Sequence, residues 1–474
     1  MTITTSKTQA GEMVVERKAL DNLRTRLRGE LILPGTPGYD ESRSIWNAMI
    51  DRRPAAIVRP VGVPDVVAGI QFAREEGLPL SIKGGGHNIA GLAVADGGLM
   101  LDLSLMRGVV VDPAARTARV EAGSLLGDVD RETQTHGLAT VLGFVSATGV
   151  AGLTLGGGFG YLTRRFGWTS DNVLSVDMVT ADGRTVHASA QENPDLFWGL
   201  RGGGGNFGVV TSFEYKLHPV GPEVMGGLIA WRGDDAPQVL EMYRTLTKQA
   251  PPELTVAAML RMAPQAPWLP KEMHGKPIVA LLVLYTGPVD EAEKHVAAIK
   301  GFGSPVGDVV QRRTYVSQQS MLDATQPKGR RYYWKSEYLP GVEPELLAKA
   351  IEHAGRIVSP NSAVVLFPVD GAISLLPEDH SAMGNRDAAY VLNITSSWDR
   401  ADDDGSNIEW ARAAWQEMRR FSTGGTYINF QTADEGEERI LAAYGRNHGR
   451  LVEVKTTWDP ENLFRMNKNI MPRP

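Results

Sequence analysis

The pattern of apolar and polar positions divides the chain into two stretches with different rhythms. Ala55 to Val58 reads as a strand, and Pro64-Asp65 opens a helix whose Val66, Val67, Ile70 and Phe72-Ala73 recur on one face. Leu80 to Ile82 is a second strand, so a βαβ unit is expected. Short strands follow at Leu99 to Leu103, Val109 to Val111 and Thr117 to Ala122, and later a helix at Pro194 to Leu200 precedes a strand at Val209 to Leu217. Beyond Leu217-His218-Pro219-Val220-Gly221-Pro222 the rhythm changes. Strands at Met225 to Trp231, Thr255 to Met262, Ile278 to Tyr285, Ala363 to Phe367 and Tyr390 to Thr395 alternate with helices at Ala236 to Lys248, Asp290 to Ile299, Pro344 to Ile357 and Asn407 to Arg420. This predicts a sheet backed by one layer of helices, its other face free to cover a ligand. Tyr427 to Phe430 again reads as a strand and Glu437 to Tyr444 as a helix.

The start is polar: up to about Arg17 a loose tail is expected, with structure beginning near Leu20, while Trp46 and Met49 sit at helical spacing. The end, from Trp458 through Leu463 and Phe464 to Ile470, is too apolar for a free tail and is expected to return to the first domain. The organisation expected is therefore α+β: a tail over 1–19, one domain over 20–220, a second over 221–423 and a returning segment over 424–474.

Bulk properties narrow the chemistry. The chain has 474 residues, 42% hydrophobic, with net charge -6 and no block of Lys or Arg, so a nucleic-acid partner is not expected. The absence of cysteine removes disulfides, thiolate metal sites and thiol catalysis, and redox chemistry would need a cofactor. His136, His187 and His380 have no partners at metal-ligand spacing, so no metal is expected. Without a signal-peptide core or an apolar run long enough to span a membrane, the expected location is the cytoplasm, with no membrane partner.

Three glycine stretches change the picture. In Ser81-Ile82-Lys83-Gly84-Gly85-Gly86-His87-Asn88, a strand runs into three glycines whose N–H groups can turn inward around anionic oxygens, with His87 at the rim. Alone, this reads more readily as a tight turn with an ordinary loop histidine. The second stretch, Thr148 to Gly160, interleaves its glycines with Val, Leu, Ala and Phe, a composition built for burial and close ligand approach. The third, Arg201 to Thr211, contains a GxGxxG spacing, but a helix precedes it and a strand follows, the reverse of a nicotinamide Rossmann site.

These stretches, with Asp171-Asn172, Phe197 to Thr211, Lys335-Ser336-Glu337-Tyr338, Tyr427 to Phe430 and Asp459 to Ile470, resemble in order the berberine-bridge-enzyme-like branch of the vanillyl-alcohol-oxidase flavoproteins. The resemblance runs from about Tyr39 to Pro472. It implies a two-domain FAD-linked oxidase fold, with a substrate domain whose antiparallel sheet lies over the flavin. It implies FAD held by one covalent bond, through His87, because Val145 stands where many relatives carry a second, cysteine tether. The cofactor contacts implied are Lys83, Gly84, Gly85, Gly86, His87, Asn88, Gly91, Thr148, Gly149, Gly152, Leu153, Gly156, Gly157, Gly158, Val209, Asn429, Asn467 and Asn469. Asn467 and Asn469, two apart, would share a strand face.

Tyr427 is implied as the catalytic base, and Asp370 matches a position that is acidic in some relatives. A free phenol has a pKa of ~10, so Tyr427 would need neighbouring cations to ionise near neutral pH. Arg386 matches a family arginine, but Asn385 replaces the histidine usually before it. Tyr332, Tyr333, Trp334 and Lys335 form an aromatic strand of which half can face the flavin. The expected reaction is removal of hydride from a C–OH or C–N carbon of a small or medium organic substrate, with O2 as acceptor and hydrogen peroxide as product. Thr148, at a position where relatives place the residue gating oxygen, keeps open a dehydrogenase with another acceptor, and a flavoprotein cyclase or a nicotinamide dehydrogenase also remain.

Overall fold

The computed structural model describes residues 15–474. The βαβ unit forms as its pattern predicts: strands Ala56–Arg59 and Leu80–Lys83 both run parallel to Leu99–Asp102, which lies between them, and Glu30–Ile32 adds an antiparallel edge. The intervening helix, Val63–Glu75, has Pro64 in its first turn, where the missing N–H has no helical partner to lose. Beside it, the buried Asp65 carboxylate accepts the N–H groups of Arg28, Gly29 and Val61 at 2.9 to 3.0 Å and so fastens the preceding chain. A second sheet of five antiparallel strands follows, in the order Val109–Asp112, Thr117–Glu121, Val209–Lys216, Val173–Val179, Thr185–Ser189.

The second half builds an eight-stranded antiparallel sheet. Its centre runs Glu223–Arg232, Pro277–Tyr285, Leu254–Met262, Ala363–Pro368, Tyr390–Trp398, Arg331–Leu339, and each pair is antiparallel. Side chains alternate across a strand, so the sheet sorts them into two sets. Leu260, Val364, Leu366, Leu392 and Ile394 pack with residues of the helices Ala236–Gln249, Ala292–Lys300, Pro344–Ala354 and Asp404–Met418. Truncating one of these buried aliphatics to alanine costs about 2–5 kcal/mol. The alternate set, Met259, Arg261, Ala363, Val365, Phe367, Asn393 and Thr395, faces the cavity described below.

One apolar core gathers residues from Leu23 to Leu217 and adds Ile428, Leu451, Phe464 and Ile470 from the end of the chain; a second runs from Met225 to Met418. A third joins them, packing Phe159, Tyr161 and Trp168 against Met259, Phe367, Val391 and Tyr427. The chain end is locked by Lys455, fully buried, whose Nζ meets Asp459 Oδ2 at 2.6 Å and the carbonyls of Asn206 and Phe464.

Four local expectations are corrected. Residues 1–14 of the expected tail lie outside the described residues, but a helix already begins at Arg17 (Arg17–Arg26), because Leu23 on its inner face joins the first core. Trp46 and Met49 lie on irregular chain, held when Asn47 bonds the carbonyls of Ile89 and Tyr332. Ile428–Phe430 is one turn of 3₁₀ helix, not strand, which turns Tyr427 and Phe430 edge-to-face at 4.8 Å. Asn467 and Asn469 likewise share no strand. The second glycine stretch contains a short helix, Val150–Leu155.

Candidate active site

The glycine stretches converge. A Cβ on Gly85 would lie 2.6 Å from Gly149 Cα, and one on Gly156 would lie 2.5 Å from Asn429 Cγ, so the first and second turns, and the second turn and the chain end, touch backbone to neighbour only because these residues lack side chains. Together they form one wall of a deep cavity; the free face of the eight-stranded sheet forms the opposite wall.

Fourteen of the residues singled out from sequence line this cavity: Gly84, Gly85, Gly86, His87, Asn88, Thr148, Gly149, Gly152, Leu153, Gly156, Val209, Tyr427, Asn429 and Asn467. The cavity's aromatic walls are Trp46, Phe144, Phe159, Trp334, Phe367 and Phe430. Trp46 stacks on the His87 imidazole, 5.0 Å between centroids, and on Tyr332 at 3.6 Å. Neither His87 nitrogen meets a hydrogen-bond partner among the described residues, and burial lowers its pKa to about 4, so the ring is neutral and unengaged at neutral pH. Several polar atoms here also lack protein partners among the described residues: Asn467 Oδ1, Asn393 Oδ1, Gln326 Oε1 and the Trp334 indole N–H. Buried polar groups are normally paired, so these ask for a ligand that hydrogen-bonds along its length.

Two family models match the chain: FAD binding domain over residues 54–189, and berberine and berberine like over residues 426–471. (R)-6-hydroxynicotine oxidase of Paenarthrobacter nicotinovorans is 32% identical over 463 residues, covering 94% of this chain and 97% of its own. The chain belongs to the berberine-bridge-enzyme-like FAD-linked oxidoreductases. The crystal structure of 6-hydroxy-D-nicotine oxidase from Arthrobacter nicotinovorans superimposes on this oxidoreductase with a TM-score of 0.85 at 28% identity, covering 94% of this chain and 98% of that one. Xylooligosaccharide oxidase of Thermothelomyces thermophilus is 28% identical over 488 residues, covering 96% of this chain and 95% of its own.

The cavity of this FAD-dependent oxidoreductase fits its cofactor: a glycine wall that a Cβ would obstruct, a neutral free imidazole, and unpaired amide oxygens along the path. The remaining sequence-derived residues stand behind that wall. Lys83 Nζ bonds Asp102 at 3.1 Å and the Ser42 carbonyl at 2.8 Å. Gly91 packs on Ile50, while Gly157 and Gly158, at φ +99° and +76°, pack on Met383 and Thr169. Asn469 reaches Met471 Sδ at 3.1 Å.

Asp370 is corrected: it does not line the cavity, and its carboxylate is held 2.8 Å from Nε of the buried Arg164, which braces the 250–254 turn. Arg386 is likewise structural, paired at 2.7 Å with Asp171, both side chains 3% exposed. Along Arg331–Leu339, Tyr332 and Trp334 face the Trp46 side, whereas Lys335 turns away to Glu435 at 2.7 Å. Tyr427 lines the cavity, but the cations expected to ionise it are not its neighbours. Asn429 Nδ2 donates to its oxygen at 2.9 Å, and burial pushes the phenol above its ordinary value. With Asn429 donating to the oxygen, the phenol's own hydrogen meets no acceptor among the described residues.

Sequence reading missed Trp46, Arg261, Asn393, Thr395 and Lys468 as cavity residues. One signal was available. In Tyr390–Trp398 the polar Asn393 and Thr395 interrupt an apolar run at the strand's own period of two.

Proposed function

We propose that this oxidoreductase binds FAD covalently through His87 as a single tether and oxidises a C–OH or C–N carbon of a small or medium organic substrate, with O2 as acceptor. The division of labour proposed is 20–220 with 424–474 for the cofactor and 221–423 for the substrate. The observation that carries the reading is the neutral, unpartnered His87 imidazole at the end of a cavity walled by glycine turns. FAD bound there would supply a two-electron acceptor for substrate hydride and return the electrons to O2 as hydrogen peroxide. His87 would hold the flavin through one imidazole nitrogen, its neutral form leaving that nitrogen's lone pair available.

The chain's own groups do the rest. The Gly84 to Gly86 and Gly149 turns hold the diphosphate by backbone N–H groups. Phe159 and Phe430 fix the Tyr427 ring edge-on at 4.9 and 4.8 Å within the cavity lining. Tyr427 orients the substrate heteroatom and, once ionised, takes the proton that leaves with the hydride. Burial opposes that ionisation and the hydrogen bond donated by Asn429 favours it.

Acid-precipitated protein is expected to stay yellow, and His87→Ala protein to turn white on the same treatment. Anaerobic bleaching by substrate should accelerate with rising pH and slow in Tyr427→Phe; an unchanged rate in that variant removes Tyr427 from the chemistry. A dehydrogenase reading rests on Thr148 at the cavity wall, and slow reoxidation of bleached protein in aerobic buffer would establish it.

A further inference from the structure

The charge of the cavity is one-sided. Among the described residues that line it there is no Asp or Glu, while Arg261 and Lys468 are present. Lys468 is engaged, its Nζ 2.8 Å from the Thr432 carbonyl. Arg261 is not. Its Nε donates to the Met262 carbonyl at 3.2 Å, and its two Nη atoms reach no acceptor and no carboxylate among the described residues. Burial lowers its pKa, and the charge of Arg330, another cation, lowers it further. An arginine held half-buried on a cavity wall without a counter-charge draws an anion to its free edge.

The register shows where that anion would sit. Arg261 pairs with Ala363, Ala363 with Thr395, and Thr395 with Trp334, so these four form one row across the cavity face. Trp334 ends the row next to Trp46, which stacks on His87. Arg261 is three strand spacings away, about 14 Å, and on the wall opposite the glycine turns. Its free Nη edge is thus remote from the diphosphate cradle and open to a substrate.

We infer that Arg261 binds a carboxylate of the substrate. The inference rests on the flavin reading for the site's role but not for its charge. With Nε–H occupied, the Nη1/Nη2 pair remains for two parallel bonds to a carboxylate, and the Thr395 hydroxyl lies in the same row. The apolar and aromatic side chains between, Met259, Val365 and Phe367, suit a ring or short hydrocarbon joining the acid to the carbon that reacts. A cationic substrate would meet no carboxylate in this cavity.

The test is calorimetric titration of purified enzyme, as isolated, with benzoate and with benzamide, a neutral isostere, while the flavin absorption spectrum is followed. Benzoate is expected to bind at least about tenfold more tightly, the worth of one charge-assisted pair. That preference should vanish in Arg261→Gln and return in part in Arg261→Lys, with thermal melting checking that each variant folds. Equal affinity of the wild-type enzyme for the two compounds, binding of neither, or a benzoate preference that survives Arg261→Gln would overturn the inference, and the wild-type comparison decides even where a variant fails to fold. A white acid precipitate would instead count against the flavin tether, whatever benzoate does.

Discussion

Replacing Asp130 by asparagine should change how stability depends on pH. Asp130 lies on the helix Leu126–Gln134 and is buried against Tyr315–Gln319; Gln319 Nε2 donates to its Oδ2 at 3.2 Å, and its Oδ1 has no partner among the described residues. Burial raises its pKa to about 7 from the usual carboxylate value. Between about pH 4 and pH 7 the folded protein therefore keeps a proton that the unfolded chain has lost, and stability falls as pH rises through that window, levelling above it. Three pKa units at ~1.4 kcal/mol each give ~4 kcal/mol over the window. Asparagine cannot ionise, so urea midpoints of Asp130→Asn measured by circular dichroism should be less sensitive to pH than those of the wild type. The difference in unfolding free energy between the two should move by up to ~3 kcal/mol in the variant's favour from pH 4.5 to pH 8. The other titrating groups are common to both proteins and subtract out. Parallel curves at all pH values would refute the assignment of a protonated, buried Asp130. The site would feel its ionisation, because Gln319 also reaches the Gly143 carbonyl at 3.4 Å and Asp323 holds the Ser146 N–H at 2.7 Å, on the loop that carries Phe144, Val145 and Thr148 to the cavity.

Gly85→Ala should force the first two glycine turns apart, since the new methyl would lie 2.6 Å from Gly149 Cα; a strain of about 1–3 kcal/mol is expected, seen as less flavin per purified chain, and full flavin content would count against the backbone contact. Arg386→Ala should destabilise by about 3–5 kcal/mol in urea denaturation by stranding Asp171, and Asp171→Asn in the same chain should recover part of that loss.

Legibility followed periodicity. Strands with alternating or continuous apolar runs, such as Thr117–Glu121 and Pro277–Tyr285, were readable because burial of one face or both leaves a period in the sequence. Gly85 and Gly149 were readable as a site because buried glycine has few uses apart from close approach. The strand reading of Tyr427 to Phe430 failed because an apolar run that short is set by its packing partners, here Phe159 and Trp334, rather than by its own propensity. Asp370 failed differently: a strand-end carboxylate looks alike whether it faces a substrate or an arginine, and only the fold brings Arg164, 206 positions earlier, against it. Arg261 was invisible for the converse reason, since its lack of a partner is a property of the assembled cavity and leaves no trace in neighbouring residues.

The cavity draws its lining from Trp46 near one end of the chain to Lys468 near the other. The complete lining therefore comes together only once the chain has been made through Lys468, and the cofactor meets its full set of neighbours no earlier. A chain cut before Met466 would keep the sheets that form the other walls and lose Met466, Asn467 and Lys468 from the lining.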